Sequence, residues 1–153
     1  MIRYVLAVLL AVAIVGLAMP AVNDAAVDNS EAAVRGEIAD LDAAATALVD
    51  TEEVPPPGRE RASARRVVTV TFPEQSPTSR AVRFVRIEPH HEHGFSTVTY
   101  AVGERPSEQL RIDATVVGPG NGTVRLGGSE RRTLVLTLVR DDAGNRVVEL
   151  RRQ

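Results

Sequence analysis

Tyr4–Val22 reads YVLAVLLAVAIVGLAMPAV, nineteen residues without a charged side chain, and the rest of the chain has to be placed relative to it. As an α-helix the run extends about 28 Å, close to the thickness of a bilayer's hydrocarbon core. The apolar part of a removable signal is normally shorter, so the length predicts a retained transmembrane helix over residues 1–22. Gly16-Leu17-Ala18 supplies a small-x-small sequence, which keeps cleavage as the competing outcome. Arg3 precedes the run and no basic cluster follows closely. The expected orientation is therefore a cytoplasmic N-terminus with the remainder outside, a single-pass protein of the cell membrane.

Immediately beyond, residues 23–50 are rich in Ala and nearly free of helix breakers. Val27, Val34, Leu41 and Leu48 recur every seven residues, with Ile38 and Ala45 between them. That is the narrow apolar stripe of an amphipathic helix. Pro20 removes one helical hydrogen bond, a loss that membrane helices tolerate, so span and stalk are expected to form one helix. The stripe is interrupted by Glu31 and weakened by Gly36, which leaves it too short for a free coiled coil. It can pack on the chain's own head or face a partner. The expectation adopted is that Val34, Ile38, Leu41 and Leu48 bind a partner, so that Leu41→Asp with Leu48→Asp leaves the head folded.

Pro55-Pro56-Pro57-Gly58 ends any helix, and residues 51–65 read as a Pro-rich linker. From Arg66 the period changes to two. Segments near residues 66–72, 81–88, 95–102, 110–116, 123–126, 133–140 and 146–151 alternate apolar and polar side chains, with Gly-, Asn- and Asp-rich turns between them. A phase shift between Phe84 and Val85 predicts a bulge. Leu134, Leu136 and Leu138 mark the most buried strand, and Asp141–Asn145 is a hairpin loop that pairs the last two strands antiparallel. The fold class expected is α+β: a long N-terminal helix, then an exported antiparallel β-sandwich-like domain of about seven strands at residues 66–153.

Composition narrows the chemistry. There is no Cys and no Trp, and all 18 basic residues are Arg. Disulfides, thiolate metal sites and a cysteine nucleophile are excluded. The net charge of −2 conceals an asymmetry: residues 21–60 hold ten acids and two Arg, residues 61–153 fifteen Arg and ten acids. A stalk of −8 below a head of +5 is self-complementary. The Arg residues are scattered over several strands without interleaved aromatics, so no nucleic-acid surface is expected.

Every histidine lies in Pro89-His90-His91-Glu92-His93-Gly94. Imidazole and carboxylate ligate Zn²⁺ or Cu²⁺, which makes His90, His91 and His93 the candidate metal ligands. The flanking Pro and Gly place the segment at a hairpin tip between the second and third strands, the plainer account of its polarity. Asn121-Gly122-Thr123 is a glycosylation sequon in a turn. No phosphate loop, nucleophile elbow or paired-carboxylate setting is present, so no catalytic residue, enzyme activity or cofactor is expected.

The order of parts, with Pro20 in the apolar helix, the stalk from Ala21 to Asp50 and strands thereafter, resembles archaeal type IV pilin-like proteins. The Ala/Asp/Glu/Arg-rich, Lys-free style is similar to small haloarchaeal secretion-associated membrane proteins. Pilin precursors carry a basic stretch before the apolar run and a Glu early in the mature helix. Here Met1-Ile2-Arg3 has one Arg, and no Glu occurs between Ile2 and Val22. The resemblance therefore implies an accessory, minor-pilin-like component with protein partners in a pilus-like or secretion assembly. A membrane-tethered extracellular binding module for a small ligand or metal is the alternative, carried by the histidine tip.

Overall fold

A computed structural model describes residues 2–52, 64–128 and 131–153. One α-helix, α1 (Ile2–Thr51), precedes eight strands. These are β1 (Arg65–Thr71), β2 (Val82–His90), β3 (Phe95–Val102), β4 (Glu108–Ile112), β5 (Val116–Val117), β6 (Val124–Leu126), β7 (Arg131–Arg140) and β8 (Arg146–Arg152). The α+β class is as expected. Most of the expected linker at residues 51–65 lies outside the described residues, as does Met1.

The helix runs through Pro20 without interruption. Its two halves meet different surroundings. Residues 2–25 are exposed throughout, and the most apolar stretch has no buried residue. From Ala26 the stripe sinks into the head: Val27, Val34, Ile38, Leu41, Ala45 and Leu48 belong to one hydrophobic core with the strands. Val34 and Ala45 are completely covered. The expected partner-binding face is thus corrected. Val34, Ile38, Leu41 and Leu48 are at most 4% exposed against the chain's own strands, because the open side of a small sandwich needs an apolar cover more than the stripe needs a neighbour.

The strands form two four-stranded sheets, ordered β1-β7-β8-β5 and β4-β3-β2-β6. Leu134, Leu136, Leu138, Val148 and Leu150 of the first face Val85, Ile87, Val98, Tyr100 and Ile112 of the second in the shared core. Helix α1 packs on β1, β7 and β8 of one sheet and on β3 and β4 of the other, closing the sandwich beside its β1 and β4 edges. At the helix end, Arg146 Nη1 donates to the Val49 carbonyl at 3.1 Å, satisfying one of the acceptors that a helix C-terminus leaves open. Strands β7 and β8 pair antiparallel through the Asp141–Asn145 loop. The strand has a bulge just before the expected position, between Val82 and Phe84, where β2 advances two residues against one on β3.

Two points depart from the expected sheet. The fourth segment is two strands, giving eight: β4 pairs with β3, while β5 crosses to the other sheet and pairs parallel with β8. The crossing at residues 113–115 is held by three hydrogen bonds. Val116 N donates to the hydroxyl of buried Ser96 at 2.8 Å, Val148 N to the Thr115 carbonyl at 2.8 Å, and Asp113 N to Asp42 Oδ1 at 2.9 Å. The helix therefore staples the place where the chain changes sheets.

Candidate functional site

Among the described residues, the bare half of the helix, the junction of helix and head, and the hairpin tips are candidate places for function.

Bare residues 2–25 are long and apolar enough for one membrane crossing. Leu17 is 82% exposed, whereas the core helix of a water-soluble protein would bury such side chains. This half of α1 is a candidate single membrane span.

Above it, the junction concentrates the chain's charge chemistry. Tyr100 lies in the core at 1% exposure, with its phenol reaching the edge. Tyr100 and Glu108 are direct cross-strand partners on β3 and β4, so the hydroxyl donates to Glu108 Oε2 at 2.7 Å. Arg35 enters from the helix, donating through Nε to the Tyr100 hydroxyl at 3.0 Å and through Nη2 to Glu108 Oε2 at 2.6 Å. One turn below, Glu31 is buried and receives Arg105 Nη1 at 3.2 Å, which also meets Asp28 at 2.7 Å. Buried Ser30 accepts Arg80 N at 2.7 Å.

These contacts move the titrating groups in consistent directions. The Tyr100 hydroxyl and the Arg35 guanidinium hold the Glu108 carboxyl below its ordinary range. Burial, together with the Glu108 carboxylate, pushes the Tyr100 phenol up. Glu108 raises Arg35 further, and Asp28 does the same for Arg105. Asp28, Glu31 and Arg35 of the helix thus interlock with Tyr100, Arg105 and Glu108 of the head. The junction contains no nucleophile–base pair; what it does physically is fix the helix's rotation and height against the sheets. Sequence reading met Glu31 only as a break in the apolar stripe and assigned none of these six residues to a site.

The third place is formed by the β2–β3 and β7–β8 tips. A recess of ≈ 320 Å³ there is lined by His91, Glu92, Asn121, Asp141, Asp142, Ala143 and Asn145. Asp141 organises its own loop, accepting the amides of Ala143 at 3.0 Å and Asn145 at 2.8 Å. Burial works against its charge, but these bonds and the Asn145 side chain hold its carboxyl below the ordinary value. His91 Nδ1 lies 3.5 Å from Asp141 Oδ2, bridging the two tips.

The three candidate metal ligands take other partners. His90 Nε2 sits 2.9 Å from Thr97 Oγ1 and stacks 4.7 Å from the Phe95 ring. His93 approaches the same ring at 5.8 Å, while His91 turns to the other hairpin. Among the described residues no three His, Asp or Glu side chains gather to hold a metal ion. The turn commits His90 and His93 to the Phe95 ring and His91 to Asp141. Asn121 of the sequon is half-buried at φ 60° and its amide faces Asp142 at 3.5 Å.

Fold and junction define a class: a β-sandwich head with a helix built into its core, whose free half is a candidate membrane span. The chain belongs to a family described as a domain of unknown function, DUF7311, which it matches over residues 1–153. No curated protein and no solved structure matches it.

Proposed function

We propose that this protein is a membrane-anchored structural or assembly component of a pilus-like or secretion complex at the cell surface. The N-terminus is cytoplasmic and the head extracellular in this reading. The observation that carries it is the single helix Ile2–Thr51, bare over one half and core of the head over the other. A protein that needs only to be tethered is served by a flexible connection between span and domain. Here the path from span to head is continuous helix, and the Arg35–Tyr100–Glu108 and Arg105–Asp28–Glu31 contacts fix the head's azimuth. Such rigidity is useful where many heads must stand in one orientation relative to their neighbours. The head acts by being placed, without turning over a substrate.

The test uses the absence of cysteine. Ala11→Cys and Ala18→Cys lie on the exposed half of the helix, seven residues apart and on one side of it. Small residues suit close helix contact in membranes. Mild oxidation of native membranes is expected to link copies through one of these positions, giving a dimer band on non-reducing gels. Full-length chains that remain unlinked at every position along the span, and leave the membrane as monomers, would overturn the assembly reading.

A further inference from the structure

The head has a cavity of ≈ 430 Å³ lined by Arg131, Arg132, Thr133, Arg152 and Gln153. It is created by register. Arg132 and Arg152 continue the inward-facing series of Leu134 on β7 and Leu150 on β8, and they stand at the margin of the core, beside Val70 and Leu134 of the neighbouring strands. Their guanidiniums turn to the rim, where Arg132 lies against Gly128 and Arg152 donates to the Arg125 carbonyl. Among the described residues, none of Arg131, Arg132 and Arg152 has a carboxylate within ion-pairing distance. Three like charges around one concavity favour an anionic occupant.

The stalk supplies matching charge. Asp28 and Glu31 are engaged by the head's Arg105, and Asp42 holds the Asp113 amide. Glu37 and Asp40 lie on the opposite flank of the helix. Asp40 is exposed and Glu37 half-buried, and neither has an ion-pair partner among the described residues. At an i, i+3 spacing the two carboxylates form one acidic site.

Heights agree as well. Arg146 touches the helix at Val49, and β8 then descends toward Arg152. That descent is about 20 Å, or about thirteen helical residues, which brings Arg152 near the level of Gly36–Ile38. Copies inserted in one bilayer share their depth, so the basic cavity of one stands level with Glu37 and Asp40 of the next.

We infer that the Arg131–Arg132–Arg152 cavity receives the Glu37–Asp40 flank of a second copy of this chain. The inference rests on the assembly reading and specifies the surfaces used. Because the two surfaces lie on different faces of the molecule, the contact is heterologous and can be repeated from copy to copy.

Two full-length variants, Asp40→Cys and Arg132→Cys, are co-expressed with distinguishable tags and oxidised in native membranes. A mixed disulfide dimer is expected. Arg131→Glu with Arg152→Glu in the second chain should abolish it, and Glu37→Arg in the first should restore it. Melting curves of each variant verify that the heads stay folded. Absence of the mixed dimer between folded chains overturns the inference. The span cysteines then separate the two ideas: if Ala11→Cys or Ala18→Cys still links copies, assembly stands on other surfaces, and if they do not, both fail.

Discussion

Arg35 and Tyr100, sixty-five residues apart in the chain, meet through a 3.0 Å hydrogen bond from the guanidinium Nε to the phenol oxygen. Because the Tyr100 hydroxyl in turn donates to Glu108 at 2.7 Å, helix, central strand and edge strand are joined at one oxygen. A buried Tyr needs partners for its hydroxyl, and here they are Glu108 of the edge strand and Arg35 of the helix that continues into the candidate span. Rotation of the helix by even part of a turn would leave the phenol and Glu108 without Arg35. The network therefore sets the azimuth that the apolar stripe alone leaves loose.

A pH dependence follows from Glu108. Its folded carboxyl is held below the ordinary range by the Tyr100 hydroxyl and Arg35. Its contribution to stability is therefore present above the unfolded carboxylate value and lost as pH falls through the folded one. The melting temperature of the wild-type head should decline on acidification below about pH 5, toward the usual Glu range. Glu108→Gln should lower stability at neutral pH and show a shallower acid decline. Thermal melts across pH 3–7 make the comparison, and parallel acid limbs in the two proteins would remove Glu108 as a contributor.

Stripe residues give the second prediction. Leu41 and Leu48 are 2% and 1% exposed in the shared core, so Leu41→Asp with Leu48→Asp should unfold the head. Each replacement gives up about 1.5–3 kcal/mol of apolar burial and places a carboxylate in a dry site. Together they threaten a net stability of about 5–15 kcal/mol. Ala39→Asp, on the exposed side of the same helix, is the control expected to melt as wild type. A folded head in the double variant would return the stripe to the role of an external contact.

Those residues also mark where sequence legibility ended. The seven-residue recurrence of Val27, Val34, Leu41 and Leu48 revealed an amphipathic helix, since periodicity reports that one face is buried. It cannot report what buries it, and a partner would produce the same pattern. Alternation and turn chemistry located the strands, yet Ile112, Ala114 and Val116 alternate without a break across the point where the chain changes sheets. Only three-dimensional hydrogen bonding, from Ser96 and Asp42, reveals that crossing. The junction was hidden because Asp28, Glu31, Arg35, Arg105 and Glu108 sit among many other charges. One usable signal existed: Tyr100 falls in the inward phase of β3, beside Val98 and Val102, and a hydroxyl there demands a polar neighbour. The recurrence of Arg132 and Arg152 in the inward phase of two core strands was equally readable, but their convergence required the β7–β8 register.

Zinc should leave this protein unchanged. A tight site needs three or four ligands converging on one point. The turn instead holds His90 against Thr97 and the Phe95 ring, His93 beside that same ring, and His91 toward Asp141. Titration of the full chain with Zn²⁺ is expected to produce no rise in Tm, with His91→Ala indistinguishable from wild type in its response. A stabilisation of several degrees, lost when His91 and His93 are both replaced by Ala, would establish a metal site.

Orientation across the membrane is the last prediction, because the surface role depends on it. Arg3 is the basic residue that flanks the span, and Asp24, Asp28 and Glu31 beyond it carry little weight in setting orientation. The N-terminus should therefore stay in the cytoplasm while the head crosses. Ser107, exposed in the turn before β4, offers a reporter in a chain that has no cysteine of its own. A membrane-impermeant maleimide should label Ser107→Cys on intact cells and Ile2→Cys only after permeabilisation. Adding basic charge just past the span, as in Asn23→Arg with Asp24→Arg, opposes Arg3 and should shift a fraction of Ser107→Cys to the protected state. If wild-type flanks instead give labelling of Ile2→Cys outside and protection of Ser107→Cys, the head faces the cytoplasm. The basic cavity and the acidic flank would then still meet between copies, but no cell-surface assembly could be built from them.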